Sequence, residues 1–248
     1  MNKIEFKFGD NGETKEQFFE RMKKVARERN ITYRCPKCRD NGYIKTGDNQ
    51  FDRCECEVKR IASERMERQG FKPGEMTMKD FNVDTEIAKR MKALAERYIS
   101  SYPTQKSMGV FGQVGTGKTH LIVGTAQKLM DDGRGVVYMP YVDMIAQLRQ
   151  TIFNAEEYGR LIDGLKHCEL LVIDDFLKGN LLPNDLSIMF ELINYRYLNK
   201  KPIIVSSEKL VTELNSIDEA LGSRIAEMTF GNRVQIAQDS KKNRRIIE

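Results

Sequence analysis

Along the chain, short runs of uninterrupted apolar residues alternate with segments in which apolar positions recur every three or four residues. The runs at 108–111, 136–139, 170–173, 203–206 and 234–237 read as β-strands, and the segments at 118–130, 142–151, 156–167, 185–198 and 217–228 read as helices. Short apolar strands separated by helices specify an α/β domain whose parallel sheet is covered on both faces. A further helix is predicted at 86–100, ahead of the first strand.

The first seventy residues have a different texture. Residues 14–29 carry Phe18, Met22 and Val25, with Phe19 beside them, and predict an amphipathic helix. A stretch rich in turn formers follows, with Cys-Pro at 35–36, Asp-Asn-Gly at 40–42 and Thr-Gly-Asp-Asn at 46–49; a charged helix is predicted at 58–69. Residues 70–74, Gly-Phe-Lys-Pro-Gly, read as a linker, so the expected domains are 1–70 and 71–248. There is no internal repeat and no low-complexity tract.

Composition changes this picture only locally. At 248 residues and 40% hydrophobic, the chain can bury a substantial core. No apolar run approaches the ~18 residues that span a bilayer, and the charged opening stretch is unlike a signal peptide, so a cytoplasmic location is expected. The net charge of +5 is uneven: residues 1–70 hold 17 basic and 13 acidic side chains, the rest 24 and 23. Between Arg21 and Arg39 eight basic residues are opposed by Glu28 alone, which a solvated helix face explains at least as well as a phosphate track.

Candidate chemistry begins at Gly112-Gln113-Val114-Gly115-Thr116-Gly117-Lys118-Thr119, followed by His120. The spacing G-x-x-x-x-G-K-T, set between a predicted strand and a predicted helix, is a phosphate-binding loop. Its glycines let backbone N–H groups converge on phosphates, Lys118 reaches the terminal phosphates, and the Thr119 hydroxyl can ligate magnesium. The strand Leu-Leu-Val-Ile ends in Asp174-Asp175. Such a pair can cap a turn, but beside a phosphate loop it reads as the acidic half of the site, Asp174 holding magnesium and Asp175 orienting the attacking water. Many hydrolases of this kind carry Glu where Asp175 stands, and the shorter side chain lowers the expected intrinsic turnover.

The order of the loop, the Asp-Asp strand, the polar strand end Ser206-Ser207-Glu208 and the segment Leu221-Gly-Ser-Arg-Ile225 resembles the AAA+ ATPases of the DnaC helicase-loader group, and those of phages and Gram-positive bacteria in particular. The resemblance covers roughly residues 71–240, and the N-terminal cysteines extend it. It implies an AAA+ P-loop domain with a five-stranded parallel sheet and little or no helical lid, preceded by a small helical, zinc-binding domain. It implies ATP with magnesium as the nucleotide, a hexameric replicative helicase and single-stranded DNA as partners, homo-oligomeric assembly and no membrane. Arg224 is implied to be an arginine finger donated to a neighbouring subunit, with a helix-surface ion pair as the bland alternative. Ser207 is implied as a γ-phosphate sensor, although related loaders commonly carry Ser-Asn at this strand end. The basic tail 241–245 reads more simply as a solvated end.

Four of the five cysteines lie within 22 residues. Cys35-x₂-Cys38, fifteen residues, then Cys54-x-Cys56 can close a tetrahedron of thiolates around a structural zinc; reduced or redox-active cysteines are the alternative. A zinc tetrathiolate would lower the charge of residues 1–70 from +4 to about +2, which weakens non-specific nucleic-acid binding there. Within the resembling family this module grips the helicase, for which Phe18, Phe19 and Tyr43 are plausible contacts, or plausible packing. Cys168 is expected to be buried. Family resemblance also points to residues 141–160, with Tyr141, Arg149 and Arg160, as the DNA-facing zone, whereas Ile145, Leu148 and Ile152 explain the same helix by packing. Two rival functions share the phosphate loop. One is a transposition helper resembling IstB, and the other is a small-molecule kinase, which leaves the cysteines and Arg224 unexplained.

Overall fold

A computed structural model describes residues 33–47, 50–68, 70 and 74–237, together with Gln17, Glu20, Arg21 and Lys24. Phe18, Phe19, Met22 and Val25 of the expected first helix, residues 71–73 of the expected linker and the basic tail 241–245 lie outside the described residues. The chain divides into two compact units, residues 1–57 and residues 58–248.

In the first unit, β1 (Tyr43–Gly47) and β2 (Gln50–Arg53) form an antiparallel hairpin, with Tyr43 opposite Arg53 and Lys45 opposite Phe51. The turn formers of this region masked the hairpin, since its strands are short and largely exposed. The next element, α1 (Glu55–Arg68), opens with Glu55 and Glu57, acids that suit the positive end of a helix.

The second unit is built as the apolar pattern requires. Its elements are α2 (Glu86–Ser101), β3 (Met108–Gly112), α3 (Lys118–Asp131), β4 (Val136–Pro140), α4 (Tyr141–Thr151), α5 (Ala155–His167), β5 (Leu170–Asp174), α6 (Pro183–Leu198), β6 (Ile203–Ser207), α7 (Val211–Ile217), α8 (Glu219–Met228) and β7 (Arg233–Ile236). All five strands are parallel, in the order β4-β5-β6-β3-β7. One face is covered by α2 and α3, which bury Met91, Leu94, Tyr98, Leu121 and Leu129 against Val110, Val172 and Ile204. The other is covered by α4 to α8, burying Leu148, Ile162, Leu192 and Ile225 against Phe111, Ile173 and Val205. The three-layer α/β architecture matches the expectation.

The expected helix at 217–228 is α8, which starts two residues later; the short α7 ahead of it was not expected. Asp218 is extended, and its carboxylate accepts the Leu221 N–H at 2.8 Å, ending α7 and capping α8. The two helices then touch at Gly222, where a Cβ would stand 2.3 Å from Asn215 Cα.

A fully buried arginine ties one end of the sheet together. Arg196, on α6, donates to the carbonyls of Leu165 (2.8 Å), Lys166 (3.1 Å), Cys168 (3.1 Å) and Pro202 (2.6 Å), fastening the end of α5 to the starts of β5 and β6. Cys168, half-buried rather than buried, receives a further Arg196 donor at 3.3 Å, and burial pushes its thiol pKa up.

Candidate functional site

In a parallel sheet, ligands collect at the carboxyl ends of the strands. Here the neighbouring ends of β5, β6 and β3 bring together Asp174-Asp175, Ser206-Ser207-Glu208 and the loop that follows Gly112.

Chain sterics shape the loop. Gly112 adopts φ 103°, and a Cβ there would sit 2.0 Å from the Ile236 carbonyl oxygen, so only glycine lets β3 turn beside β7. Gly115 and Gly117 are also left-handed, which leads the chain into α3 at Lys118. The Thr116 hydroxyl closes the loop on the Gln113 carbonyl at 3.1 Å. Lys118 is buried, and its Nζ donates to the carbonyls of Gly112 and Gln113, both at 2.7 Å. Burial lowers its pKa, opposed by the charges of Asp175, Glu208 and Asp174. An ammonium held out of water on neutral carbonyls, beneath a helix N-terminus, is suited to exchange those carbonyls for phosphate oxygens. His120 Nε2 meets the Thr77 carbonyl at 2.9 Å, and its ring packs edge-on against Phe81.

Asp174 is the hub of the acidic half. Its Oδ1 accepts from Thr119 Oγ1 (3.2 Å) and Ser206 Oγ (2.5 Å), and its Oδ2 accepts from the Tyr138 hydroxyl (2.8 Å). The Tyr138 phenol is raised in pKa by burial and by Asp174, which keeps it a donor. A hydroxyl and a carboxylate meeting beside a phosphate loop are hard oxygen donors of the kind that suits a divalent cation such as magnesium. Asp175 has φ 55°, its N–H donates to Ser206 Oγ at 2.9 Å, and its carboxylate meets Lys178 Nζ at 2.8 Å.

Other expected residues are deployed differently. Ser207 is buried, its hydroxyl donating to the Phe176 carbonyl at 2.8 Å and accepting the Lys209 N–H at 3.2 Å. The neighbouring Glu208 instead reaches Lys178, at 2.7 Å. Arg224 engages α6: its Nε donates to Asn194 Oδ1 (3.0 Å), and its guanidinium lies over the rings of Phe190 and Tyr197. Tyr141 is buried against Phe176, which withdraws its ring from base stacking, and Arg149 pairs with Asp185 at 3.4 Å. Arg160 is exposed. Ile152 is exposed rather than packed, and beside it Phe153 is 97% exposed. Sequence reasoning missed Tyr138, Ser206 and Lys178. Only Lys178 had a signal, its three-residue spacing from Asp175.

In the first unit the four thiols converge, every sulfur within 4.8 Å of the others. Cys35 Sγ lies 3.7 Å from Cys54 Sγ, and Cys38 Sγ 3.3 Å from Cys56 Sγ. Zn–S bonds of ~2.3 Å in a tetrahedron put sulfurs about 3.8 Å apart, so the residues fit a four-coordinate zinc. The knuckle is shaped by left-handed Arg39, Asp40 and Gly42 and by Asp40, whose carboxylate accepts the Cys35 N–H at 2.8 Å. Cys56 lies in the first turn of α1.

Together the phosphate loop, the acidic strand end and the five-stranded parallel sheet define an AAA+ ATPase. The profile of IstB-like ATP binding proteins matches residues 57–245, and the chain belongs to that family. The phage-like element PBSX protein XkdC of Bacillus subtilis (strain 168) is 32% identical over 216 residues, covering 79% of each chain. Among solved structures, the DnaC helicase loader aligns with a TM-score of 0.57 at 18% identity, covering 67% of this chain and 98% of its own. AMPPCP-bound DnaA from Aquifex aeolicus aligns with a TM-score of 0.56 at 23% identity; the alignment covers 68% of this chain and about half, 52%, of DnaA. At these identities the two structures establish the shared fold. No helix among the described residues is long and apolar enough to cross a membrane.

Proposed function

We propose that the protein is an ATP-dependent loader that grips a replicative ring helicase through its cysteine module and helps place it on single-stranded DNA. The observation that carries this reading is the four-thiol knuckle, which lies just ahead of the family profile's first residue, 57. A closed four-thiolate site leaves no position for substrate, so its metal would be structural and the module an adaptor. The likeness of the ATPase domain to the DnaC helicase loader, over nearly all of that chain, supports the same assignment.

In this reading, Lys118 leaves its carbonyls to meet the terminal phosphates of ATP. Thr119 and Asp174 would hold magnesium, which would supply positive charge to the phosphates; Asp174 is kept in place by Ser206 and Tyr138. Asp175 orients the attacking water. Arg224, stacked on α6, is donated to the nucleotide of a neighbouring copy, so hydrolysis depends on assembly. ATP then closes a subunit interface and hydrolysis reopens it.

Light scattering of the protein mixed with its host's replicative helicase, with and without ATP, tests the adaptor. The loader reading expects a stable complex that Cys35→Ser with Cys38→Ser abolishes. No complex in any nucleotide state would instead favour a transposition helper of the IstB kind, whose partner is a transposase.

A further inference from the structure

Two cations and three carboxylates face one another at the strand ends, and the phosphate loop accounts for only one of the cations. The second is Lys178, in the connection between β5 and α6. That connection is stitched to β6: the Phe176 N–H donates to the Ser206 carbonyl (2.8 Å), the Asp175 N–H to Ser206 Oγ (2.9 Å) and Ser207 Oγ to the Phe176 carbonyl (2.8 Å). Asp175 and Leu177 both hold φ 55°, a conformation that non-glycine residues adopt only when the surroundings impose it. The result is a tight turn that returns the Lys178 ammonium to Asp175 Oδ2 at 2.8 Å and to Glu208 Oε1 at 2.7 Å. The charges of Lys178, Asp175, Glu208 and Asp174 all act on Lys118, so the five form one electrostatic cluster around the phosphate end of the site.

Glu208 is the anomaly in that cluster. An unmatched carboxylate there would repel a terminal phosphate, and pairing of Asp175 Oδ2 with an ammonium makes that carboxylate a weaker acceptor for water. Lys178 bears on both problems, because an ammonium has three donors and the two carboxylates engage two of them. We propose that Lys178 is a γ-phosphate-binding residue: in the presence of ATP it exchanges Asp175 for the terminal phosphate while keeping Glu208, and with ADP it returns to Asp175. Glu208 aims the ammonium, and Asp175 is released for water only when a γ-phosphate is present. The proposal rests on the nucleotide-site reading above and assigns to Lys178 and Glu208 the recognition of the third phosphate.

Equilibrium titration of the full chain with fluorescent ATPγS and ADP tests it. In Lys178→Met, ATPγS affinity falls about tenfold or more while ADP affinity stays within about twofold, the size of a lost charge-assisted hydrogen bond. Lys178→Arg keeps most of the preference for ATPγS. Glu208→Gln added to Lys178→Met recovers at least part of the lost affinity, because it removes the unmatched carboxylate; a purely structural ion pair gives no such recovery. Equal weakening of both nucleotides, or no change in their ratio, overturns the proposal. Should Lys178→Met fail to fold, Glu208→Gln alone decides: it must shift the ATPγS-to-ADP ratio, and an unchanged ratio counts against the assignment. Wild-type binding that Lys118→Ala leaves intact would instead reject the nucleotide site itself.

Discussion

Thr119 Oγ1 lies 3.2 Å from Asp174 Oδ1, although 55 positions separate the two residues in the chain. One opens α3 and the other closes β5, and the strand between them in the sheet, β6, contributes the Ser206 hydroxyl to the same carboxylate. Three strand ends thus converge on one carboxylate. The double-mutant cycle of Thr119→Val and Asp174→Asn should reveal coupling of about 0.5–3 kcal/mol in magnesium-dependent ATP affinity. Additive losses, measured by calorimetry with and without magnesium, would mean that the two residues do not share an ion.

Lys118→Ala should abolish stabilisation by nucleotide. In the wild type, ATP at about a hundred times its Kd adds ~2.7 kcal/mol to stability. Thermal melts with and without magnesium-ATP should therefore show an upward shift of several degrees in the wild type and none in the variant.

Arg224→Ala should keep ATP binding and lose assembly-dependent hydrolysis by ~10³-fold, the scale of an arginine finger. Its contacts with Asn194 and the α6 rings are local, so the melting temperature should change little. Unchanged turnover in the assembled state would reduce Arg224 to a surface contact.

Arg196→Met should destabilise the ATPase domain by about 3 kcal/mol or more, because it strands buried carbonyls at the ends of three elements. Urea denaturation measures the loss directly. A midpoint within error of wild type would show that the carbonyls find other partners.

The purified protein should contain one zinc per chain by elemental analysis, and Cys35→Ser with Cys38→Ser should lose it. Since metal binding supplies folding energy to so small a unit, proteolysis should then open residues 33–57 before the ATPase domain. A protein that carries no zinc and keeps an intact first unit would contradict the assignment.

The strands and the phosphate loop were legible in the sequence because their signals are local. Uninterrupted apolar runs such as 170–173 leave little choice but a buried strand, and G-x-x-x-x-G-K-T fixes both a backbone path and a charge. The cysteine spacing likewise anticipates converging thiols. What the sequence hid is set by the three-dimensional path. Tyr138 and Ser206 reach Asp174 only because β4 and β6 flank β5 in the sheet, and no spacing along the chain announces that order. Tyr141 and Ile152 exchanged their expected roles because a single helix period cannot tell which residue faces the core at a helix end. The short helix α7 went unread because seven residues are too few to show a helical period.

The central claim, delivery of a ring helicase to DNA, is tested most directly on circular single-stranded DNA, which offers no end to thread. Helicase bound per circle should rise with the protein and ATP, and should stay at background with Lys118→Ala or with Cys35→Ser and Cys38→Ser. Helicase loading that is indifferent to the protein, to ATP and to both variants would contradict the account.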